Sequence, residues 1–203
     1  VELTVITRPP EIEGLSDVYV VEGESETVTF TVVDLDGTFL ELSYDAPDYV
    51  TCSLNWLPNQ TEHSGSCNID TDMGYQSGTV SLTVTNSEGL PETGNGSFSI
   101  HINHYPILNI TGPIYAPVNE STSIEIELSD SDGDDMALTL LSSPEYTEFN
   151  FTSPSSGTLE ISPVDADSDG EIVFHATDDG NPEISVDINL NIIVNLPPTI
   201  SND

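Results

Sequence analysis

Two stretches, VTFTVVDLDG at Val28–Gly37 and IEIELSDSDG at Ile124–Gly133, decide the fold. They align residue for residue without a gap. Val28, Phe30 and Val32 fall on Ile124, Ile126 and Leu128, the alternation that puts one face of a β-strand into a core. Each run ends in Asp-x-Asp-Gly, a turn signal, because Asp caps its own backbone and Gly accepts positive φ. A second pair follows: SLTVTNSEGLPE at Ser81–Glu92 lies over VFHATDDGNPE at Val173–Glu183 with one inserted residue. Both halves then close on an alternating strand and a proline, SFSIHINHYP and INLNIIVNLPP. There is no helical period. Repeats of about 95 residues with turn signals every 8–12 residues fit an all-β chain of tandem β-sandwiches.

The repeat is cut out of register. Two whole sandwiches are expected at 8–104 and 105–196. The opening VELTVIT, 1–7, matches the closing strand of a preceding repeat. The final PPTISND, 197–203, matches the linker and start of a following one. Either the polypeptide continues in both directions, or strand 1–7 is donated to a neighbouring subunit's sheet by β-augmentation. Both alternatives point to a linear assembly, with copies of the chain or adjacent repeats as partners.

Composition narrows the class. The 203 residues carry 36 acidic side chains and a single basic one, Arg8, for a formal charge of −35. Such a chain lacks the cations needed to bind nucleic acid or an anionic membrane through phosphates. No run approaches the ~18 apolar residues of a membrane span. The acids are not evenly spread. ELSDSDGDDMAL at Glu127–Leu138 places Asp130, Asp132, Asp134 and Asp135 at one strand end. Unit charges ~4 Å apart repel by about 1 kcal/mol per pair in water and more near a protein surface. A bound cation or a salt-adapted surface would each account for the cluster.

The second half resembles the cadherin-like and related immunoglobulin-like tandem repeats of large microbial extracellular surface proteins. The likeness rests on VNES (Val118–Ser121), DSDGDD (Asp130–Asp135), VDADSDGE (Val164–Glu171), ATDDGNP (Ala176–Pro182) and NLPP (Asn195–Pro198). The first half shares VEGE (Val21–Glu24), DLDG (Asp34–Gly37) and DTDMG (Asp70–Gly74), with Asn86 where the second has Asp178. The resemblance implies extracellular rods with Ca²⁺ between consecutive domains. It implies ligands Glu22, Asp70 and Asp72 at the lower end of the first domain, and Glu120, Asp165 and Asp167 at that of the second. At the upper ends it implies Asp130, Asp132 and Asp178, and less completely Asp34 and Asp36. Asn103 would join the junction set. The acidic Asp-Asn linker of true cadherins is replaced by INHYP and VNLPP, which reduces the ions expected per junction. The strands bearing Glu22 and Glu120 align with a two-residue slip. Independently of family, an all-oxygen donor set on loops suits Ca²⁺ better than zinc or copper, and its flexibility suits Ca²⁺ better than Mg²⁺.

Cys52 and Cys67 are the two cysteines, read either as free buried thiols or as a disulfide stapling an inserted loop around Trp56. Their spacing is too short for an inter-sheet bridge. Asn59, Asn95, Asn109, Asn119 and Asn150 begin Asn-x-Ser/Thr triplets, candidate glycosylation sites in an extracellular chain. The histidines are dispersed, and the acid pairs recur with the repeat at turn tips, so no catalytic arrangement is expected. The function expected is a structural, calcium-stiffened repeat unit of a filament or surface stalk. The alternative is an adhesin module that binds glycan or protein through the Cys52–Cys67 loop, with Trp56 either in contact with ligand or packed on the core.

Overall fold

The computed structural model describes residues 8–36, 39–86, 91–164 and 168–195. The expected strand at 1–7, the linker at 197–203, and Asp165 and Asp167 lie outside the described residues. The chain divides into two compact units between Asn103 and His104.

In the first unit the alternating runs form β1 (Glu11–Glu13), β2 (Val18–Val21), β3 (Ser25–Val33), β4 (Leu40–Asp45), β5 (Val50–Asn55), β6 (Glu62–Asp70), β7 (Gly78–Asn86) and β8 (Thr93–Asn103). They make two four-stranded sheets, β1-β3-β6-β5 and β2-β8-β7-β4. The second unit repeats the plan with β9 (Ile107–Leu108), β10 (Ile114–Pro117), β11 (Thr122–Ser129), β12 (Met136–Ser142), β13 (Thr147–Ser153), β14 (Ser156–Ile161), β15 (Gly170–Asp178) and β16 (Ser185–Asn195). Its sheets are β9-β11-β14-β13 and β10-β16-β15-β12. In each unit the pairs β2·β8 and β10·β16 are parallel, and the other described pairs are antiparallel.

Each core is built from the face that the alternation predicts. Val28, Phe30 and Val32 of β3 are buried with Val80, Leu82 and Val84 of β7. In the second unit Ile126 and Leu128 are buried with Ile172, Phe174 and Ala176 of β15. A fully buried side chain of this size contributes about 1.5–3 kcal/mol. Gly65 on β6 gives the Phe30 ring its place, since a Cβ there would overlap the ring, and Gly157 on β14 does the same for Phe149. Below the cores, Tyr49 and Tyr146 hold the corresponding loops with hydroxyl bonds to the carbonyls of Gln76 (2.7 Å) and Ser168 (2.8 Å).

Two expectations are corrected by the register. The Cys52–Cys67 disulfide is present, but it does not staple an inserted loop. Cys52 on β5 lies directly opposite Cys67 on β6, and both side chains are buried in the first core. The corresponding strands of the second unit carry Phe149 opposite Leu159, an apolar pair in the same place. The extra sequence around Trp56 only lengthens the β5–β6 turn. Glu22 and Glu120 are not counterparts. The Glu22 and Val118 amides play the same part, donating to the carbonyls of Asn103 (2.9 Å) and Asn195 (3.2 Å) that end the parallel partners. Glu120 instead matches Glu24, whose amides donate three residues back to Pro117 and Val21.

Candidate metal centre

The turn after β11 is the upper end of the second unit. Its backbone is organised by the first aspartate: Asp130 Oδ1 accepts the amides of Asp132 (2.7 Å) and Gly133 (3.2 Å), and Gly133 takes the positive φ that closes the turn. That leaves Asp130 Oδ2 buried and without a hydrogen-bond partner among the described residues. Asp130, Asp132 and Asp134 each present a carboxylate oxygen within 4.8 Å of the others, and among the described residues this is the one such group of three. The turn after β15 borders it. Asp178, buried, accepts the amides of Gly180 (3.0 Å) and Ile184 (3.1 Å) on Oδ1. Asp179 accepts the Asp135 amide (2.8 Å), and the Asp179 amide donates to the Asp135 carbonyl (3.0 Å). The Asp134 carboxyl is held above the ordinary aspartate value, first by partial burial and then by the charges of Asp130, Asp132, Asp178 and Asp179. The donor set fits a hard cation: oxygens only, borne on turns, one of them buried and without a hydrogen-bond partner among the described residues.

A residue that the sequence reading passed over joins this end. His104, buried where the chain enters the unit, donates its backbone amide to Asp132 Oδ2 at 2.7 Å. Its Nδ1 lies 2.9 Å from both Asp132 oxygens. The first unit repeats the backbone half of this clasp, with the Arg8 amide 2.7 Å from Asp36 Oδ2. The Asp-x-Asp turn of each unit therefore grips the segment that leads into it. Both Arg8 and His104 precede a proline by one or two residues, and that context was the available signal.

The other expected ligands are not gathered in the same way. In the first unit's upper turn Asp34 is buried, its Oδ1 taking the Asp36 amide (3.2 Å), and Asn86 supplies an amide where the second unit has a carboxylate. At its lower end Asp70 accepts the Ser25 hydroxyl (2.7 Å), and Asp72 caps the Met73 amide (2.8 Å). Those are turn and edge contacts, and Glu22, largely buried, donates its backbone amide to the Asn103 carbonyl. Glu120 is exposed at the lower turn of the second unit.

Trp56 packs against the first core, edge-on to Phe39 at 5.1 Å and nearly parallel to the buried His63 at 6.4 Å. Among the candidate glycosylation sites, Asn59 and Asn119 occupy exposed turns with φ near 60°. Asn150 is exposed on β13, and Asn95 accepts the Thr83 hydroxyl (2.9 Å). Asn109 is engaged at both ends of its amide, donating to the Glu125 carbonyl (3.2 Å) and accepting the Glu127 amide (3.0 Å).

No family model matches the chain, and no curated protein matches it either. Solved structures do. An I-band fragment of titin is similar at 14% identity with a TM-score of 0.53, over 95% of this chain and 68% of that one. The fold is that of tandem immunoglobulin-like domains. The extracellular domain of protocadherin GammaB4 is similar at 14% identity and a TM-score of 0.46, over 92% of this chain and 33% of that one. An endo-fucoidan hydrolase of glycoside hydrolase family 107 is similar at 14% identity and a TM-score of 0.37, over 91% of this chain and 28% of that one. At 14% identity the titin likeness shows the fold alone.

Proposed function

We propose that the chain is a structural, non-catalytic repeat unit of an extracellular filament or surface stalk, similar to the tandem repeats of microbial surface proteins, and that Ca²⁺ bound at the Asp130–Asp134 turn stiffens it. The observation that carries this reading is the shared use of Asp132. The same carboxylate stands among the three whose oxygens lie within 4.8 Å of one another and clasps the entering segment at His104. An ion on Asp130, Asp132 and Asp134 would remove their mutual repulsion and freeze the turn that holds the segment. Linker freedom would fall without any new contact. The buried disulfide supports an oxidising compartment. In such a compartment the exposed turn at Asn59 is the expected glycan acceptor, ahead of Asn119, Asn95 and Asn150, while Asn109 stays unmodified.

Thermal unfolding at fixed high ionic strength tests the calcium reading. An ion at a hundred times its dissociation constant stabilises by about 2.7 kcal/mol, a rise in Tm of roughly 10–20 °C for a domain of this size. The rise is expected with Ca²⁺ and not with added monovalent salt. Melting that follows ionic strength alone would reduce the acids to a salt-adapted surface.

The second reading is an adhesive module whose Cys52–Cys67 hairpin meets glycan or protein. It is favoured by Leu57, 46% exposed beside the turn tip, and weakened by Trp56, which the core and Phe39 engage. Capture of a glycan by the folded chain, lost on Leu57→Asp, would support it.

A further inference from the structure

Two histidines are buried, and they are held differently. His104 faces the Asp132 carboxylate, whereas no carboxylate pairs with His63 among the described residues. His63 lies on β6 directly opposite Val32 of β3, with 1% of its surface exposed. Its Nδ1 accepts the Leu57 amide at 3.2 Å, a bond that ties the β5–β6 turn to the ring. The Trp56 indole is nearly parallel to the same ring. A ring nitrogen that accepts an amide bears no proton, so this imidazole is neutral and its proton is on Nε2. Nε2 is buried and has no hydrogen-bond partner among the described residues. Neither nitrogen therefore meets an acceptor that would stabilise an imidazolium.

The neighbouring segments supply no such acceptor. Glu62, beside it on β6, is exposed. Beyond the end of β3 stand Asp34, whose amide donates to the Thr61 carbonyl (2.9 Å), and Asp36, whose carboxylate holds Arg8 by its amide. In the facing sheet at this end, Leu40, Val84 and Asn86 carry no charge, and Glu92 follows in the segment after β7. The turn itself, WLPNQT at 56–61, is uncharged. None of these carboxylates pairs with the ring among the described residues. Below the turn, the buried Cys52–Cys67 disulfide joins β5 to β6. The second unit's shorter β13–β14 turn has Ser155 in the place of His63.

We propose that His63 is an acid-sensitive latch: when a proton from solvent adds to Nδ1, the Leu57 amide is released and the tip of the β5–β6 hairpin, 56–62, opens to expose Trp56. In the closed tip that proton would set two donors against each other and leave an unpaired charge in the core, which burial disfavours. The closed tip holds only the neutral ring, while an imidazole in water gains its proton at about pH 6.5. The open form therefore binds the extra proton. Closure is favoured above that value and is lost as pH falls below it, by up to about tenfold in the opening constant per pH unit. The disulfide keeps the strands paired below the tip, so the sandwich stays folded while the tip opens. The latch uses neither calcium nor a partner.

Acrylamide quenching of Trp56, the chain's single tryptophan, tests this on the whole chain in chelator, between about pH 7.5 and about pH 5. Quenching is expected to rise in acid while far-ultraviolet circular dichroism holds. The opening constant read from exchange of the Leu57 amide, corrected for its intrinsic rate, should rise about tenfold per pH unit. His63→Gln, whose side-chain oxygen still accepts the Leu57 amide and takes no proton in this range, should melt as the wild type does at neutral pH and show no acid response in either reading. His101→Gln, at an exposed site, should respond as the wild type does. Constant quenching in the wild type, an equal response in His63→Gln, or a response that comes only with loss of the β-sheet signal overturns the inference. Should His63→Gln not fold, nuclear magnetic resonance of the wild type decides. A His63 ring that gains its proton while the Leu57 amide stays protected overturns the latch, and proton uptake in step with loss of that protection upholds it.

Discussion

Asn86 and Asp178 stand at the same place in the two units and perform the same folding task. The Asn86 side-chain oxygen accepts the Glu92 amide at 3.0 Å, and Asp178 Oδ1 accepts the Ile184 amide at 3.1 Å. In each case the backbone amide returns the bond, to the Glu92 and Ile184 carbonyls, both at 3.1 Å. One side-chain oxygen is enough to close this turn, and a neutral amide supplies it. The carboxylate of the second unit brings a charge that the turn does not need, into a place where Asp130, Asp132, Asp134 and Asp179 already repel. Gathering like charges at one turn is unfavourable, so turn formation alone does not account for a carboxylate at this position. Under the calcium proposal a cation would offset that crowding, and the two units should differ in their response to one.

The largest predicted difference between the units lies in the sheet that carries the disulfide. Cys52→Ala with Cys67→Ala opens a cross-link of sequence separation 15, a loss of roughly 3 kcal/mol in the chain-entropy model. It should lower the melting of the first unit and leave that of the second in place, resolved by calorimetry as a split transition. Next comes Gly65→Val, which drives a branched side chain into the Phe30 ring. Overpacking of this kind costs about 1–3 kcal/mol, read from the denaturant midpoint of the first unit, and Gly157→Val should do the same to the second through Phe149. Smaller still, Asp134→Asn should raise the Tm of the second unit in chelator and remove its response to Ca²⁺. Because the folded state raises the Asp134 value, ionisation is the destabilising event, and the penalty is relieved as pH falls through the raised value. The chelated wild type should therefore gain from mild acidification what Asp134→Asn gains at neutral pH. Smallest of all, Asp178→Asn should keep the second unit folded, since the amide oxygen still receives Ile184, and should weaken the calcium response. The reverse change, Asn86→Asp, should create no such response in the first unit.

The strands and the repeat were legible because alternation and Asp-Gly turns are local signals, and Val28–Gly37 over Ile124–Gly133 carries both. Of the residues expected at the second unit's upper end, Asp130 and Asp132 lie together with Asp134, which the sequence reading did not single out as a ligand, and Asp178 borders them. That grouping depends on how the turn after Gly133 folds back, which residue order does not reveal. His104 was read as one of several scattered histidines because its partner, Asp132, is distant in sequence and adjacent only through the pairing of β9 with β11. The Glu22–Glu120 slip had the same origin. Parallel pairing with β8 and β16 fixes that register, and nothing local encodes it. The cysteines were placed on a loop because TCSLNW, rich in small polar residues, does not announce an edge strand, although Val50, Cys52 and Leu54 alternate along it.

The most direct test of the central claim is calorimetric titration of Ca²⁺ into the chain at about 1 M NaCl, where diffuse attraction to the acidic surface is screened. It should be run beside Asp130→Asn with Asp134→Asn. The account predicts a saturating isotherm for the wild type that is absent from the variant, with both proteins folded. Equal heats in the two, or none in either, would contradict it and leave the Asp130–Asp134 turn as a turn.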